Sequence, residues 1–197
     1  LARKVTRVGV VGAGLMASQL ALLFLRNLKV PVVITDLDQA RVDKGLAYIN
    51  GEIDKLLEKG RIQPEVATRL RTNISGSTDQ KVFANCDFVI EAIFEELALK
   101  QKLFKQLEEI VTTECVIATN TSSLSVEKMS EGMKNPERVV GFHFFNPVAI
   151  MPLLEVARTT KTDDATCATA IAVGKELKRS EEHTSELQSR FGISYAV

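Results

Sequence analysis

The chain has 197 residues, 45% of them hydrophobic, and its 25 basic residues balance 25 acidic ones. This length predicts one full domain, and a formal net charge of zero gives no electrostatic reason to expect nucleic acid or an anionic membrane as a partner. No apolar run has the length of a membrane span, and we expect no cleavable signal sequence. Cys86, Cys115 and Cys167 lie far apart in apolar or helical patterns, so we expect reduced core thiols and a cytoplasmic protein. We predict no metal site.

Short β-branched runs alternate with helical patterns along the chain, which predicts an α/β fold with a doubly wound, mainly parallel sheet. The predicted strands cover residues 8–11, 32–35, 74–75, 88–90, 116–118, 139–142 and 153–157. The predicted helices cover residues 15–27, 39–59, a short segment from Pro64, 97–110 and 163–178. We expect Thr162 to cap the last helix, because a threonine hydroxyl accepts hydrogen bonds from the first N–H groups of a helix.

Polar residues and glycines recur where the predicted strands end. The carboxyl ends of parallel strands meet at one edge of a sheet, and ligands bind outside that edge. The residues concerned are Gly12 and Gly14 after the first strand, Asp36 after the second, Glu91 and Glu95 after the fourth, Asn120, Thr121 and Ser122 after the fifth, and His143 at the end of the sixth. Each is a weak signal alone, but five strands contributing to one edge indicate a binding site there.

The segment Gly12-Ala13-Gly14-Leu15-Met16-Ala17 has the G-x-G-x-x-A form of the dinucleotide-binding fingerprint of Rossmann-type folds. The first glycine permits a tight turn from strand to helix, and the second lets the backbone approach a pyrophosphate at the helix N-terminus. Glycines also serve plain turns, but Asp36 follows at the distance expected of a carboxylate that binds the adenosine ribose. No arginine follows Asp36 directly, so NAD is favoured over NADP.

His143 lies between two valines and two phenylalanines, so it is held by apolar neighbours at the mouth of a predicted strand. An imidazole titrates near neutrality and can act as a general base there; the alternative is a histidine satisfied in the core. Glu155 lies in an apolar run, and we expect it to be buried, to hydrogen-bond His143 and to raise its basicity. The alternative is an outward-facing glutamate on an edge strand. Ser122 lies where a substrate oxygen would lie, although Ser123 or Ser125 in the same segment is also a candidate helix cap.

Together, Gly12 to Ala17, Asn120 to Ser122, His143-Phe144-Phe145-Asn146-Pro147 and Glu155 resemble the NAD-binding domain of the L-3-hydroxyacyl-CoA dehydrogenases. The resemblance covers about residues 7–178 and is strongest to the dehydrogenase part of the multifunctional fatty-acid oxidation enzymes. It implies NAD-dependent oxidation of an L-3-hydroxyacyl-CoA to a 3-oxoacyl-CoA in β-oxidation.

The resemblance also implies a role for each matching residue. His143 is the expected general base, Glu155 orients it, and Ser122 bonds the substrate oxygen beside the nicotinamide. Lys59 corresponds to a lysine that meets the CoA moiety, although by itself it is equally a solvated helix end. The expected contacts with NAD come from Gly12, Gly14, Met16, Asp36, Glu95, Lys100, Ser122 and Asn146. The expected partners are an acyl-CoA and, for the intact parent, a second subunit or a fused enoyl-CoA hydratase domain.

The chain departs from the family's pattern in two ways. Glu52 stands where the family has a serine near the CoA, which puts contact through that helix in doubt. We expect the helical domain that follows in the family to be absent from this chain, and the sheet to lack its last strand and to leave an unpaired edge. We expect residues 1–178 to be a truncated Rossmann domain. Residues 179–197, which resemble a translated sequencing adapter, are expected to be a non-native tail.

Three alternatives to this function remain open. Other β-hydroxyacid dehydrogenases of similar fold rely on a catalytic lysine. A non-catalytic NAD-binding relative, comparable to the related lens crystallins, is a different class of protein, as is an inactive fragment.

Overall fold

The computed structural model describes residues 1–145, 154–178 and 193–196. The described residues form one sheet of eight strands in the order β3-β2-β1-β4-β5-β6-β7-β8. The strands are β1 (Val8–Val11), β2 (Val32–Thr35), β3 (Ile74–Ser77), β4 (Phe88–Glu91), β5 (Val116–Thr119), β6 (Val139–Phe144), β7 (Leu154–Arg158) and β8 (Ile193–Ala196). The first six are mutually parallel, β7 is antiparallel to β6, and β8 is parallel to β7. The predicted doubly wound, mainly parallel sheet is therefore confirmed.

The helices cover both faces of this sheet. They are α1 (Leu15–Asn27), α2 (Gln39–Glu58), α3 (Pro64–Asn73), α4 (Leu97–Ile110), α5 (Val126–Met129) and α6 (Asp164–Lys178), with short 3-10 helices at Gln80–Asn85 and Pro136–Arg138. All residues of β1, β2, β4 and β5 are buried, as expected for parallel strands between two helical layers. Alternate residues along β1, β2, β4, β5 and β6 pack into two separate cores, one against α1, α2, α3 and α6 and the other against α4 and α5.

The sequence predicted most element bounds to within two residues, because the apolar periodicity is clear. It gave no range for α5 or for either 3-10 helix, which are too short to show a period. Of the two candidate caps near α5, Ser125 is confirmed, since its hydroxyl accepts from Lys128 N at 3.2 Å. The expected cap at Thr162 is wrong. Asp163 caps α6 by accepting from Thr166 N at 2.7 Å, while the Thr162 hydroxyl donates to the carbonyl of Val139 at 2.7 Å.

The expectation of an unpaired edge beside β7 is also wrong, since β8 pairs with β7 from Leu154↔Ile193 to Ala157↔Ala196. The boundary placed between residues 178 and 179 stays a prediction. All three cysteines are free and buried, as expected. In the described part of the chain, no helix has the length and apolar character needed to cross a membrane, and no group of histidine, cysteine or acidic side chains is arranged to hold a metal ion.

Candidate active site

The first parallel strand ends in a glycine turn at the carboxyl edge of the sheet. Gly12 has φ of +121°, and its N–H donates to the Thr35 carbonyl of β2 at 2.7 Å. A Cβ at this position would lie 3.0 Å from the carbonyl oxygen of Ala92 and 3.2 Å from the Cβ of Ala17. Both the left-handed backbone and the crowding therefore require glycine here.

The N-terminus of α1 begins at this turn and is open to a ligand. Gly14 is its N-cap residue, no side chain caps the helix, and its first turn contains no acidic residue. A Cβ built on Gly14 would meet no atom within 4 Å, so there is space beside the backbone. Met16 lies half-buried in the same turn and packs on the core. Exposed N–H groups at a positive helix end fit the pyrophosphate of a dinucleotide.

Asp36 holds the glycine turn from the end of β2. Its Oδ2 accepts a hydrogen bond from Ala13 N at 2.9 Å, and its Oδ1 accepts one from Leu37 N at 2.7 Å. The side chain is half-buried, and a carboxylate has capacity for further bonds beyond these two. Asp36 therefore lies where the sequence placed the ribose-binding carboxylate, and it also fixes the turn itself.

A buried charged cluster occupies the ends of β4 and β5. Lys100 of α4 donates from Nζ to Glu91 Oε1 at 2.9 Å and to Glu95 Oε1 at 2.5 Å. The Glu91 carboxylate also accepts from the Thr119 hydroxyl and, at 3.0 Å, from Ile93 N. Glu91 and Lys100 are almost completely buried, whereas 42% of the Glu95 side chain is exposed. Lys100 was expected to contact the cofactor, but its ammonium group is directed at two carboxylates.

The loop after β5 binds Glu95 with two of its three neighbouring hydroxyls. Thr121 and Ser123 donate to Glu95 Oε2 at 2.5 and 2.9 Å. Partial burial alone would raise the pKa of Glu95, but the hydrogen bonds from Lys100, Thr121 and Ser123 outweigh it and lower that pKa. Ser122, between the two donors, is exposed and has no hydrogen-bond partner among the described residues. Its hydroxyl is therefore available to a ligand at this edge.

His143 lies on β6 directly opposite Glu155 on β7, so their side chains share one face of the sheet. That face is the one covered by α4 and α5, because Phe142 and Phe144 pack into the other core. Both His143 and Glu155 are only half-buried, and no hydrogen bond between them is present in the described structure. The Phe145 ring lies 4.6 Å from the imidazole between centroids.

The prediction for Glu155 is therefore wrong in part: the side chain is neither fully buried nor hydrogen-bonded to His143 in the described structure. Burial of the imidazole lowers the pKa of His143 below its ordinary value, and the charges of Glu155 and Glu95 offset this only partly. The residues are paired in register as expected, but the two half-exposed side chains interact through charge. A lowered pKa favours the neutral ring at neutral pH, which is the form of an imidazole that can accept a proton.

Not every predicted site residue lies at this edge. Lys59 is exposed at the C-terminal end of α2. This 20-residue helix is about 30 Å long, and its N-cap, Asp38, comes two residues after Asp36, which bonds the glycine turn. Glu52, on the same helix, pairs with Lys55 at 3.2 Å. Asn146 lies outside the described residues. Asn120, which the sequence placed at this edge without a role, accepts from Phe144 N through its side chain at 2.9 Å.

The model of the family described as 3-hydroxyacyl-CoA dehydrogenase, NAD binding domain, matches residues 7–183. The chain belongs to this family. The resemblance inferred from the motifs is thereby confirmed, and so are the Rossmann-type fold and NAD as the cofactor of this domain.

Individual relatives agree with the family match. The peroxisomal fatty acid beta-oxidation multifunctional protein MFP2 of Arabidopsis thaliana is 35% identical over 179 residues, which cover 90% of this chain and 24% of that protein. The (S)-3-hydroxybutyryl-CoA dehydrogenase PaaH1 of Ralstonia eutropha is 33% identical with a TM-score of 0.85, and 98% of this chain matches 63% of it. The 3-hydroxybutyryl-CoA dehydrogenase of Escherichia coli K12 is 27% identical with a TM-score of 0.88, over 99% of this chain and 39% of the other. The chain thus spans about a quarter of the curated relative.

Proposed function

We propose that this chain supplies the NAD-binding half of an enzyme that oxidises an L-3-hydroxyacyl-CoA to the 3-oxoacyl-CoA in fatty-acid β-oxidation. The observation that carries the proposal is the position of His143, in register with Glu155, at the sheet edge that also bears the glycine turn. The family match and the named dehydrogenases among its structural neighbours support it.

His143 is the proposed general base. Because burial lowers its pKa, the neutral imidazole is favoured at neutral pH, and in that form it can accept the proton of the substrate 3-hydroxyl. The imidazolium that results is favoured by the negative charges of Glu155 and Glu95. Ser122, whose hydroxyl has no partner within the described part of the chain, is proposed to bond the substrate oxygen. The proton thus moves from the hydroxyl oxygen to a ring nitrogen while the C3 hydride leaves.

The residues at the edge fit NAD, which when bound accepts that hydride. The open N-terminus of α1 with Gly12, Gly14 and Met16 is proposed to hold the pyrophosphate, and Asp36 the adenosine ribose. Glu95, with its exposed carboxylate, is the proposed contact near the nicotinamide. Lys100 is proposed to act through Glu95, because its own ammonium is buried between two carboxylates.

Two residues of the proposed site remain without structural support. Asn146 is proposed to contact NAD, and Lys59 to contact the CoA moiety, only on the basis of matching positions in the family. Lys59 fits that role only if the CoA runs along α2, away from the sheet edge.

A dehydrogenase of similar fold with a catalytic lysine is a weaker candidate. Lys100 is the lysine that the described structure places inside this edge, and its Nζ is held at 2.9 and 2.5 Å from two carboxylates. Because two carboxylates engage this ammonium group, it is not free to reach a substrate. A non-catalytic NAD-binding role is tested by the activity assay below.

The partners and the cellular compartment of the intact protein are also proposals. We propose an acyl-CoA partner and, in the intact parent, a second subunit or a fused enoyl-CoA hydratase domain, as the relative named a multifunctional protein suggests. We propose the cytoplasm as the compartment on account of the free thiols. A peroxisomal location, given in the name of the Arabidopsis relative, is the competing proposal.

The test compares this chain with the full-length protein encoded by the uninterrupted gene. Calorimetry with NADH measures cofactor binding, and NADH absorbance follows the reduction of acetoacetyl-CoA. We expect the chain alone to bind NADH weakly with little turnover, and the full-length protein to be active.

In the full-length protein, His143→Gln should lower kcat by at least about a thousandfold and leave NADH affinity nearly unchanged. An inactive full-length protein that binds NADH would favour the non-catalytic role, and an active His143→Gln variant would remove His143 from the mechanism.

A further inference from the structure

Asn120 connects three strand ends at the edge that bears His143. It follows β5 directly, and its backbone N–H donates to the Glu91 carbonyl at the end of β4 at 3.0 Å. Its side-chain Oδ1 accepts from the backbone N–H of Phe144 in β6 at 2.9 Å. One residue therefore fixes the ends of β4 and β6 to each other through the chain of β5.

The bond to Phe144 supports a part of β6 that has no strand beside it on this side. The ladder between β5 and β6 ends at the pair Thr119↔Gly141, whereas β6 continues to Phe144. On the opposite side, β7 remains paired with β6 through His143↔Glu155 and Phe144↔Leu154. The Asn120 amide oxygen thus takes the place of the next carbonyl acceptor that β5 would have supplied.

Packing of the Phe144 side chain links this backbone bond to the direction of the His143 imidazole. The Phe144 side chain is buried to 1% exposure and packs edge-to-face on Phe142, 5.5 Å between ring centroids. Successive side chains of a strand point to opposite faces, so a fixed Phe144 directs His143 to the face of α4 and α5. If the Phe144 N–H were released, the last residues of β6 could twist and the imidazole would change its direction.

We propose that Asn120 is a positioning residue that fixes the orientation of the His143 imidazole. The importance of this for catalysis rests on the proposed function, but the orientation itself does not. A displacement of a reacting group by about 1 Å can lower the rate on the order of a hundredfold. A residue that touches neither substrate nor cofactor can therefore limit kcat.

The first measurement uses this chain and three variants. Asn120→Ala removes the acceptor, Asn120→Asp retains an acceptor and adds a negative charge, and Asn27→Ala is the matched control. Asn27 donates from Nδ2 to the Leu177 carbonyl at 2.7 Å, at the end of α1 that is remote from the glycine turn. Amide hydrogen exchange reports on the Phe144 N–H, and nuclear magnetic resonance titration reports on the His143 ring.

In Asn120→Ala we expect Phe144 to exchange about tenfold faster and the His143 ring resonances to move, whereas Asn27→Ala should change neither. Asn120→Asp should restore slow exchange. It should also raise the pKa of His143, because a third negative charge joins Glu155 on β7 and Glu95 after β4. Unchanged Phe144 exchange in Asn120→Ala, or an unchanged His143 pKa in Asn120→Asp, would overturn the proposal. The second variant decides the matter if the first does not fold.

The second measurement uses the full-length protein. Asn120→Ala should lower kcat by about 10- to 100-fold with the KM for NADH unchanged, and Asn120→Asp should recover most of kcat near neutral pH. A rise in KM at constant kcat would contradict a positioning role. If the unsubstituted protein has no dehydrogenase activity, the proposed function fails, and the exchange and titration data still decide whether Asn120 orients His143.

Discussion

Glu91 and Lys100 form an ion pair with 2.9 Å between Oε1 and Nζ, and neither side chain is more than 1% exposed. A buried pair loses the hydration of both charges, so it is tolerated only when each group has further partners. Glu91 has them in Thr119 and Ile93 N, and Lys100 has a second partner in Glu95. The cluster therefore holds the exposed carboxylate of Glu95 in a fixed position relative to the buried ends of the strands.

Substitution of Lys100 by methionine should destabilise the domain strongly. The Glu91 carboxylate would remain buried without its counter-charge, a situation that costs about 3 kcal/mol or more. Urea unfolding measures the loss. The matched control is Lys134→Met, whose exposed pair with Glu109 has a similar distance of 3.1 Å and should contribute less than about 1 kcal/mol. Equal losses in the two variants would contradict a special role for the buried pair.

The sequence predicted the site edge well because it follows from strand order. Glycines and carboxylates that follow buried apolar runs must come to the carboxyl edge of a parallel sheet, and Gly12, Asp36 and Glu91 do so. The side-chain partners were not predictable in the same way. Lys100 reaches Glu91 across a loop and a helical turn, and no local period encodes that contact.

The prediction for Glu155 shows where pattern reasoning ends. The apolar run around it suggested burial, and its register with His143 is as expected. Whether a side chain near the end of a strand is covered depends on the neighbouring loop and helices, which the local sequence does not specify. The half-exposed positions of Glu155 and His143 came only from the structure.

The fall in the oxidation rate at low pH should move when Glu155 loses its charge. Glu155 raises the pKa of His143 against the effect of burial, so Glu155→Gln should lower that pKa further. Oxidation requires the neutral ring, and its rate falls as pH drops through the His143 pKa. In the variant this fall should therefore occur at lower pH, with a smaller kcat on the plateau. The pH profile of kcat/KM in the full-length protein checks the shift, and kcat on the plateau checks the second expectation. The exposed Glu65→Gln on α3 is the control, and a shift towards higher pH would contradict the electrostatic argument.

Helix α2 approaches the glycine turn through Gly45. A Cβ there would lie 2.9 Å from both the Cβ and the carbonyl oxygen of Ala13, and backbone atoms give way only at a cost. Gly45→Ala should therefore destabilise the domain by about 1–3 kcal/mol and weaken NADH binding. Gly51→Ala on the same helix meets no atom within 4 Å and should stabilise it by about 0.5–1 kcal/mol. Thermal unfolding measures the stability of both variants, and calorimetry measures their NADH affinity. Equal stability and equal affinity in the two variants would show that the close approach is unimportant.

Asp36 should control both the strength and the selectivity of dinucleotide binding. Its carboxylate accepts from Ala13 N at 2.9 Å, and a negative charge beside the ribose site repels a 2′-phosphate. Asp36→Ala should reduce NADH affinity about tenfold, which corresponds to about 1.4 kcal/mol, and should reduce NADPH affinity less or increase it. Asp43→Ala is the control, because Asp43 is an exposed carboxylate on α2 that bonds only Gln39 in the described structure. Calorimetry with both cofactors measures the ratio of affinities. A constant ratio in Asp36→Ala would mean that this carboxylate does not face the ribose, and that its role is limited to holding the glycine turn.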